Sequence, residues 1–477
     1  MPSVNLTEAE PNNSPATANA IARMPETQVL VSGSVGGLGD RDWFRLQLQP
    51  GDVVGTAVTG RDGLNPALRL VDAAGTLLVA NDDANGSGHT HLPRESPLPA
   101  ARRAETDAEV YYVISTAGMY FLEVSASGDA GVGKYDLDTM VARPGMESRP
   151  AGAKQILYLD FDGATVNFNK FAGNPIRGGR TLIPLAAVLP DWGLTAADLN
   201  AVIDGVVSQV TDKLFTYVRA NGLNPTTGVE IWNSRDHADP GNDPLVSRIV
   251  VGGKGGEPGF DPGTGGIAQD IDVGNFKTDD MAVVLGDIIT SALQLIPIQA
   301  PATVRDFAVA GIADLVAHEA GHILGCFHTE QDEADPTAGI PNLMDHAASW
   351  HSVGPDHVFG TADDGDVQFG VDEYSSADPY RGRNDTLNTV AFGLSTGQQT
   401  SACAPGMAAP GTPDGPSVAR PSDADAGPGG RRAAADVQDL PADGDPLTPH
   451  GVDVRDMSWP GLQPVHWKKR DHVGWWQ

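Results

Sequence analysis

His318-Glu319-Ala320-Gly321-His322-Ile323-Leu324-Gly325-Cys326-Phe327-His328 places three imidazoles and one carboxylate at spacings that suit a metal site. Residues four apart share one face of a helix, so His318 and His322 project together, with Glu319 beside the first ring and free to reach a metal-bound water. A third ligand needs a chain that has turned. Gly325 can take the positive φ that ends a helix abruptly and brings His328 round to the same ion. Three nitrogens then hold Zn²⁺ with one position left open for water.

The residues ahead of this string support a rigid mount. Val304, Phe307, Ala308, Ile312, Leu315 and Val316 recur at three- and four-residue steps up to His318, which predicts a buried amphipathic helix with Pro301 near its start. Beyond His328 stands Pro341-Asn342-Leu343-Met344-Asp345. The extended pattern HExxHxxGxxH, followed by a methionine in this place, resembles the signature of the metzincin zinc metallopeptidases, and the match holds at all five fixed residues. The resemblance implies a twisted mixed sheet, an active-site helix and a Met-turn subdomain over residues 153–400. It also implies Met344 as an apolar floor beneath the histidines, His318, His322 and His328 as zinc ligands, and Glu319 as the general base. His346 would then lie where some metzincins present a tyrosine, as a residue assisting the transition state or adding a fifth ligand.

Strand signals dominate the first part of the chain. Apolar or alternating runs at 28–33, 43–47, 67–71, 111–115, 120–124 and 135–139, separated by Pro50-Gly51-Asp52, Ala74-Gly75 and Ala117-Gly118 turns, predict an all-β sandwich over residues 5–143. Glu8-Ala9-Glu10-Pro11-Asn12-Asn13-Ser14, Gly39-Asp40-Arg41-Asp42-Trp43-Phe44, Asn81-Asp82-Asp83 and Gly118-Met119-Tyr120-Phe121-Leu122-Glu123-Val124 resemble the pre-peptidase C-terminal domain, an accessory module of secreted bacterial peptidases. Here it precedes the peptidase-like part. By that resemblance the sandwich would bind substrate or extracellular matrix, and the protein would act outside the cell.

Residues 144–152 read as a linker. Strands are expected at 155–161, 229–232, 247–251, 266–271 and 281–285, a long helix at 196–219 and a last packing element at 385–392. By the metzincin resemblance, 266–271 would be the edge strand that pairs with an extended substrate. Asp356, Asp363, Asp364 and Asp366 could give hard oxygens to Ca²⁺, as could Asp40, Asp42, Asp82 and Asp83. Residues 401–477 turn to Pro, Ala, Gly and Asp, a composition that buries too little to fold. That tail ends with Trp459, Trp467, Trp475 and Trp476 beside Lys468-Lys469-Arg470.

A formal charge of −31 over 477 residues argues against nucleic acid and anionic membranes as partners. No apolar run reaches the roughly eighteen residues that a membrane span requires. The opening Met1-Pro2-Ser3-Val4-Asn5-Leu6-Thr7 lacks the basic and apolar regions of a secretory signal. Cys326 and Cys403 cannot make a disulfide framework; Cys326 reads as a small buried hydrophobe, with a bridge to Cys403 as the alternative. The expected function is hydrolysis of peptide bonds in a protein or peptide substrate. The competing reading is a secreted adhesin or binding protein that keeps the metzincin fold only as a scaffold. A purely structural zinc is disfavoured, since such sites fill the fourth position with Cys or His.

Overall fold

In the computed structural model, residues 1–397 are described apart from 85–91, 104, 130, 172–175, 255–259, 261–263, 331–341, 346–352 and 377. His346, Cys403 and the 401–477 tail lie outside the described residues. The described chain is mostly β-sheet. Its first part forms β1 (Ser3–Thr7), β2 (Asn19–Ala20), β3 (Gln28–Val35), β4 (Arg41–Leu48), β5 (Val53–Gly60), β6 (Pro66–Asp72), β7 (Leu77–Asn81), β8 (Ala108–Val113), β9 (Gly118–Ala126) and β10 (Gly133–Ala142). One sheet runs β1-β3-β10-β5-β8, and β4, β9, β6 and β7 belong to a second. Alternation sets the faces: β4 buries Asp42, Phe44, Leu46 and Leu48 and exposes Arg45 and Gln47, as a half-buried strand should. Strand β5 carries no such signal because it is buried at seven of its eight positions, and the sequence reading passed over it and the short β7.

The second sheet is completed from far along the chain. Strands β18 (Val371–Glu373) and β19 (Arg381–Asp385) extend it, β19 pairing antiparallel with β7 through Arg381↔Ala80 and Gly382↔Val79. Gly382 takes φ +114°, and a Cβ there would stand 2.6 Å from Leu78 O, so the strands meet this closely only with glycine. Val273, Phe327, Tyr374, Tyr380 and Phe392 join the sandwich core. Residues 144–152, expected as a linker, are also tied down: Met146 is fully buried and Gly145 N donates to Gly274 O at 2.8 Å. Described residues 1–397 all belong to one compact unit.

The second half is built on β11 (Gln155–Asp160), β14 (Val229–Asn233), β15 (Val246–Val251), β16 (Gly266–Ala268) and β17 (Met281–Val284), with β12 (Thr165–Asn167) and β13 (Gly179–Thr181) as a separate hairpin. Order β14-β11-β15-β17-β16 leaves β16 at the edge, antiparallel to β17, while the other pairs are parallel. The expected 196–219 helix is α1 (Leu199–Thr211) and α2 (Val218–Asn221), joined by a π-helical turn over Asp212–Tyr217. After α3 (Asp287–Ala292) comes α4 (Val304–Ile323), and α5 (Thr386–Gly393) closes the described chain.

Helix α4 carries the metal-site string. Its start is a capping box in which Asp306 N donates to Thr303 Oγ1 at 3.2 Å and Thr303 N to Asp306 Oδ2 at 2.9 Å, satisfying two donors that a helix start leaves open. From Gly311 to Ile323 every residue but His318 is buried, so the expected amphipathic helix is buried on nearly all sides, as helices inside a large core are. Asp314 and Glu319 are its buried acidic residues, and Asp314 is ion-paired: Lys213, itself buried in the π-helical turn, stands 2.9 Å from its Oδ1 and also pairs with Asp366. No helix among the described residues is long and apolar enough to cross a membrane.

Candidate metal centre

The chain turns where glycine was required. Gly325 has φ +101°, and a Cβ on it would lie 2.6 Å from Val273 Cα; Gly325 N and Cys326 N close the helix onto His322 O and Gly321 O, each at 2.9 Å. His328 is thereby brought back to α4. One ring nitrogen each from His318, His322 and His328 lies within 4.8 Å of the others.

The tautomers follow from the partners. His318 Nδ1 is 2.8 Å from Leu343 O and His322 Nδ1 is 2.8 Å from Cys326 O. A carbonyl can only accept, so each Nδ1 carries the proton and, in a neutral ring, each Nε2 is an acceptor. Those two Nε2 atoms face one another at 3.2 Å. Two neutral acceptors at that separation repel unless a proton or a metal cation lies between them. The third ring has a carboxylate behind it, Asp378 Oδ2 standing 3.6 Å from His328 Nδ1.

Met344 is fully buried. A Cβ added at Gly321 would meet its Sδ at 2.4 Å, so the thioether packs against α4 at Gly321. Its neighbour Leu343 supplies the carbonyl that orients His318, and Thr329 N donates to Met344 O at 2.9 Å. The 342–345 turn thus orients the His318 ring and packs on α4.

Glu319 is 4% exposed, and its Oε2 has no hydrogen-bond partner. Burial pushes its carboxyl up to about 8. The side chain packs on Gly266 of edge strand β16. A buried carboxylate costs free energy unless something compensates it, and a cation with bound water beside the histidines would. The donor set of three imidazoles, with Glu319 the next residue after His318 on α4, fits zinc.

The calcium expectations are redistributed. Among the described residues, Asp356, Asp363, Asp364 and Asp366 do not form a three-ligand group. Asp356 accepts from Val358 N, Asp363 from Thr361 Oγ1 and Asp364 from Gly360 N, each closing its own turn, while Asp366 is taken by Lys213. In the sandwich, Asp82 and Asp83 stay apart from Asp40 and Asp42, but Glu10 joins them in a carboxylate group within 4.8 Å. One terminal atom of the buried Asn12 amide stands 3.0 Å from Asp42 Oδ1 and 3.1 Å from Glu10 Oε2. With its nitrogen there the amide donates to both; with its oxygen there, several oxygens converge as a hard cation demands. Burial and the neighbouring Glu8 push Asp42 up to about 8.

Cys326 is buried with its thiol 3.6 Å from Thr386 O, while its expected alternative partner, Cys403, lies outside the described residues. Sequence reading missed Asp378, Asn384 and the Lys213–Asp314 pair. Each acts across a long chain separation and leaves no local signal. Glu10 and Asn12 were visible only as parts of a motif.

No protein-family model matches the chain, and no match is found among curated proteins. Among solved structures it is similar to the pre-peptidase C-terminal domain of a collagenase from Bacillus anthracis, at 18% identity over 27% of this chain and 99% of that one, TM-score 0.19. A surface-associated copper-binding protein of Methylomicrobium album matches at 13% identity over 26% of this chain and 98% of that one, TM-score 0.19. A periplasmic inhibitor of g-type lysozyme from Aeromonas hydrophila matches at 10% identity over 29% of this chain and 97% of that one, TM-score 0.16.

Proposed function

We propose that the chain is a zinc-dependent endopeptidase of metzincin type that acts outside the cell. One observation carries the reading: the Nε2 atoms of His318 and His322 converge at 3.2 Å with a His328 ring nitrogen close by, and the next residue after His318 on α4, Glu319, buries an oxygen, Oε2, that makes no hydrogen bond. His318, His322 and His328 would hold the ion. Zinc there supplies a Lewis acid and brings the pKa of a bound water toward neutrality. Glu319 takes the proton of the attacking water and delivers it to the leaving amine. An extended peptide pairs with the free edge of β16, which places its main chain past Glu319 and excludes water from one side of the cleft. Calcium at Glu10, Asn12, Asp40 and Asp42 would brace the sandwich, which is the part available to bind substrate or matrix.

The alternative, a binding protein that keeps the fold as scaffold, has no use for Glu319. A buried carboxylate with one oxygen left without a hydrogen bond is a cost that a scaffold would shed. The test is mass-spectrometric profiling of cleavage sites in a mixed peptide library with the zinc-loaded protein. Cleavage that a chelator abolishes and zinc restores supports the peptidase. A protein that holds zinc and cleaves nothing supports the scaffold.

A further inference from the structure

We propose that the β-sandwich is a positioning part of the metal centre: strand β7 holds the 371–385 segment, and through Asp378 and Asn384 that segment sets where His328 stands. The proposal rests on the reading of the three histidines as one ligand set. His318 and His322 arrive on α4, inside the core of the second half. His328 does not. The boundary between the two cores falls between adjacent residues, Cys326 packing in one and Phe327 in the other. The Phe327 ring lies 4.7 Å from that of Tyr380 and 6.3 Å from that of Tyr374, and all three side chains belong to the sandwich core.

The backbone around the third ligand is held by the same segment. His328 N donates to Asp378 Oδ2 at 2.8 Å. Ser375 N donates to His328 O at 3.1 Å, and Glu330 N to Glu373 O at 2.9 Å. Asn384 Nδ2 reaches Phe327 O at 2.9 Å and His328 O at 3.3 Å. The segment is in turn fastened to the sandwich by the β19–β7 pairing and by Asn81. That amide donates to Pro379 O at 2.9 Å, next to Asp378, while its oxygen accepts from Glu109 N of β8 at 2.9 Å. A path of hydrogen bonds therefore runs from Glu109 and Asn81 through residues 378–379 to His328. Ligand geometry must be held closely for tight metal binding, and partners behind the ligands do the holding.

The test uses the full chain with zinc affinity read by chelator competition, and the visible spectrum of the cobalt-substituted protein as a signature of ligand geometry. Asp378→Ala should weaken zinc binding about 10–100-fold and alter the cobalt spectrum. Asp378→Asn, whose amide oxygen can still accept from His328 N, should recover part of both. Asn81→Ala, wholly within the sandwich, should weaken zinc several-fold in the same direction. Thr139→Val removes a buried hydroxyl pair with Thr56 in the other sheet and should leave zinc affinity unchanged. Equal affinity in wild type, Asp378→Ala and Asn81→Ala would overturn the proposal, as would an equal loss in Thr139→Val. A wild type that binds no zinc would instead overturn the ligand set itself.

Discussion

Gly266 and Glu319 are in direct contact: a Cβ built on the glycine would stand 2.3 Å from Glu319 Oε1. Edge strand and carboxylate therefore set each other's position. Gly266→Ala must push the carboxylate off its place without touching a histidine. Zinc content should stay near one per chain while kcat falls by about 10²-fold, the cost of roughly an ångström of misplacement. Metal analysis and steady-state kinetics on one preparation check this, and an unchanged kcat would separate Gly266 from the chemistry.

Gly325 makes the second prediction. Its φ of +101° and the 2.6 Å approach of Val273 Cα leave no room for a side chain against backbone that cannot yield. Gly325→Ala should cost about 1–3 kcal/mol in urea unfolding and loosen zinc, because the turn that returns His328 is displaced. A variant with unaltered midpoint and unaltered zinc affinity would contradict this account of the turn.

These two glycines mark how far the sequence alone could be read. His318, His322, Gly325 and His328 were legible because helix periodicity and one obligatory glycine set their relation within eleven residues. The inner strands showed where alternation is clean, as in β4, and not where a strand is buried on both faces, as in β5. Long-range pairing left no trace. Nothing in Arg381-Gly382-Arg383-Asn384-Asp385 announces a strand that completes a sheet begun some 300 residues earlier, since register is chosen by partners distant in the chain. The turn aspartates are hard to read for a related reason, because carboxylates close in sequence also accept from their own turns.

Lys213 and Asp314 make the third prediction. Lys213 is 2% and Asp314 5% exposed at the side chain, so Lys213→Met strands a buried carboxylate and should cost about 3–5 kcal/mol. Lys213→Met with Asp314→Leu should recover most of that, as apolar replacements of buried pairs do. Burial pushes the Asp314 carboxyl up to about 6 against the pull of Lys213. Its contribution to stability is therefore full below about pH 4 and is lost as pH rises through about 6. Asp314→Asn should lack that pH-dependent loss, and parallel pH profiles of unfolding would refute the assignment.

Calcium is the fourth. If Glu10, Asn12, Asp40 and Asp42 close on one ion, millimolar calcium with zinc held constant raises the melting midpoint, by an amount equivalent to about 2.7 kcal/mol at a hundredfold excess over Kd. Asp42→Asn should abolish that response and leave zinc content alone. A midpoint that ignores calcium in the wild type would empty the sandwich site.

The central claim is that Glu319 moves protons and does not hold the metal. The most direct measurement is zinc content beside peptide hydrolysis for wild type and Glu319→Gln. The account predicts about one zinc per chain in both proteins, from the three imidazoles, and hydrolysis lowered by 10²–10⁴-fold in the variant, the range for losing a positioned general base. A Glu319→Gln protein that cleaves at the wild-type rate, or one that has lost its zinc, would contradict it.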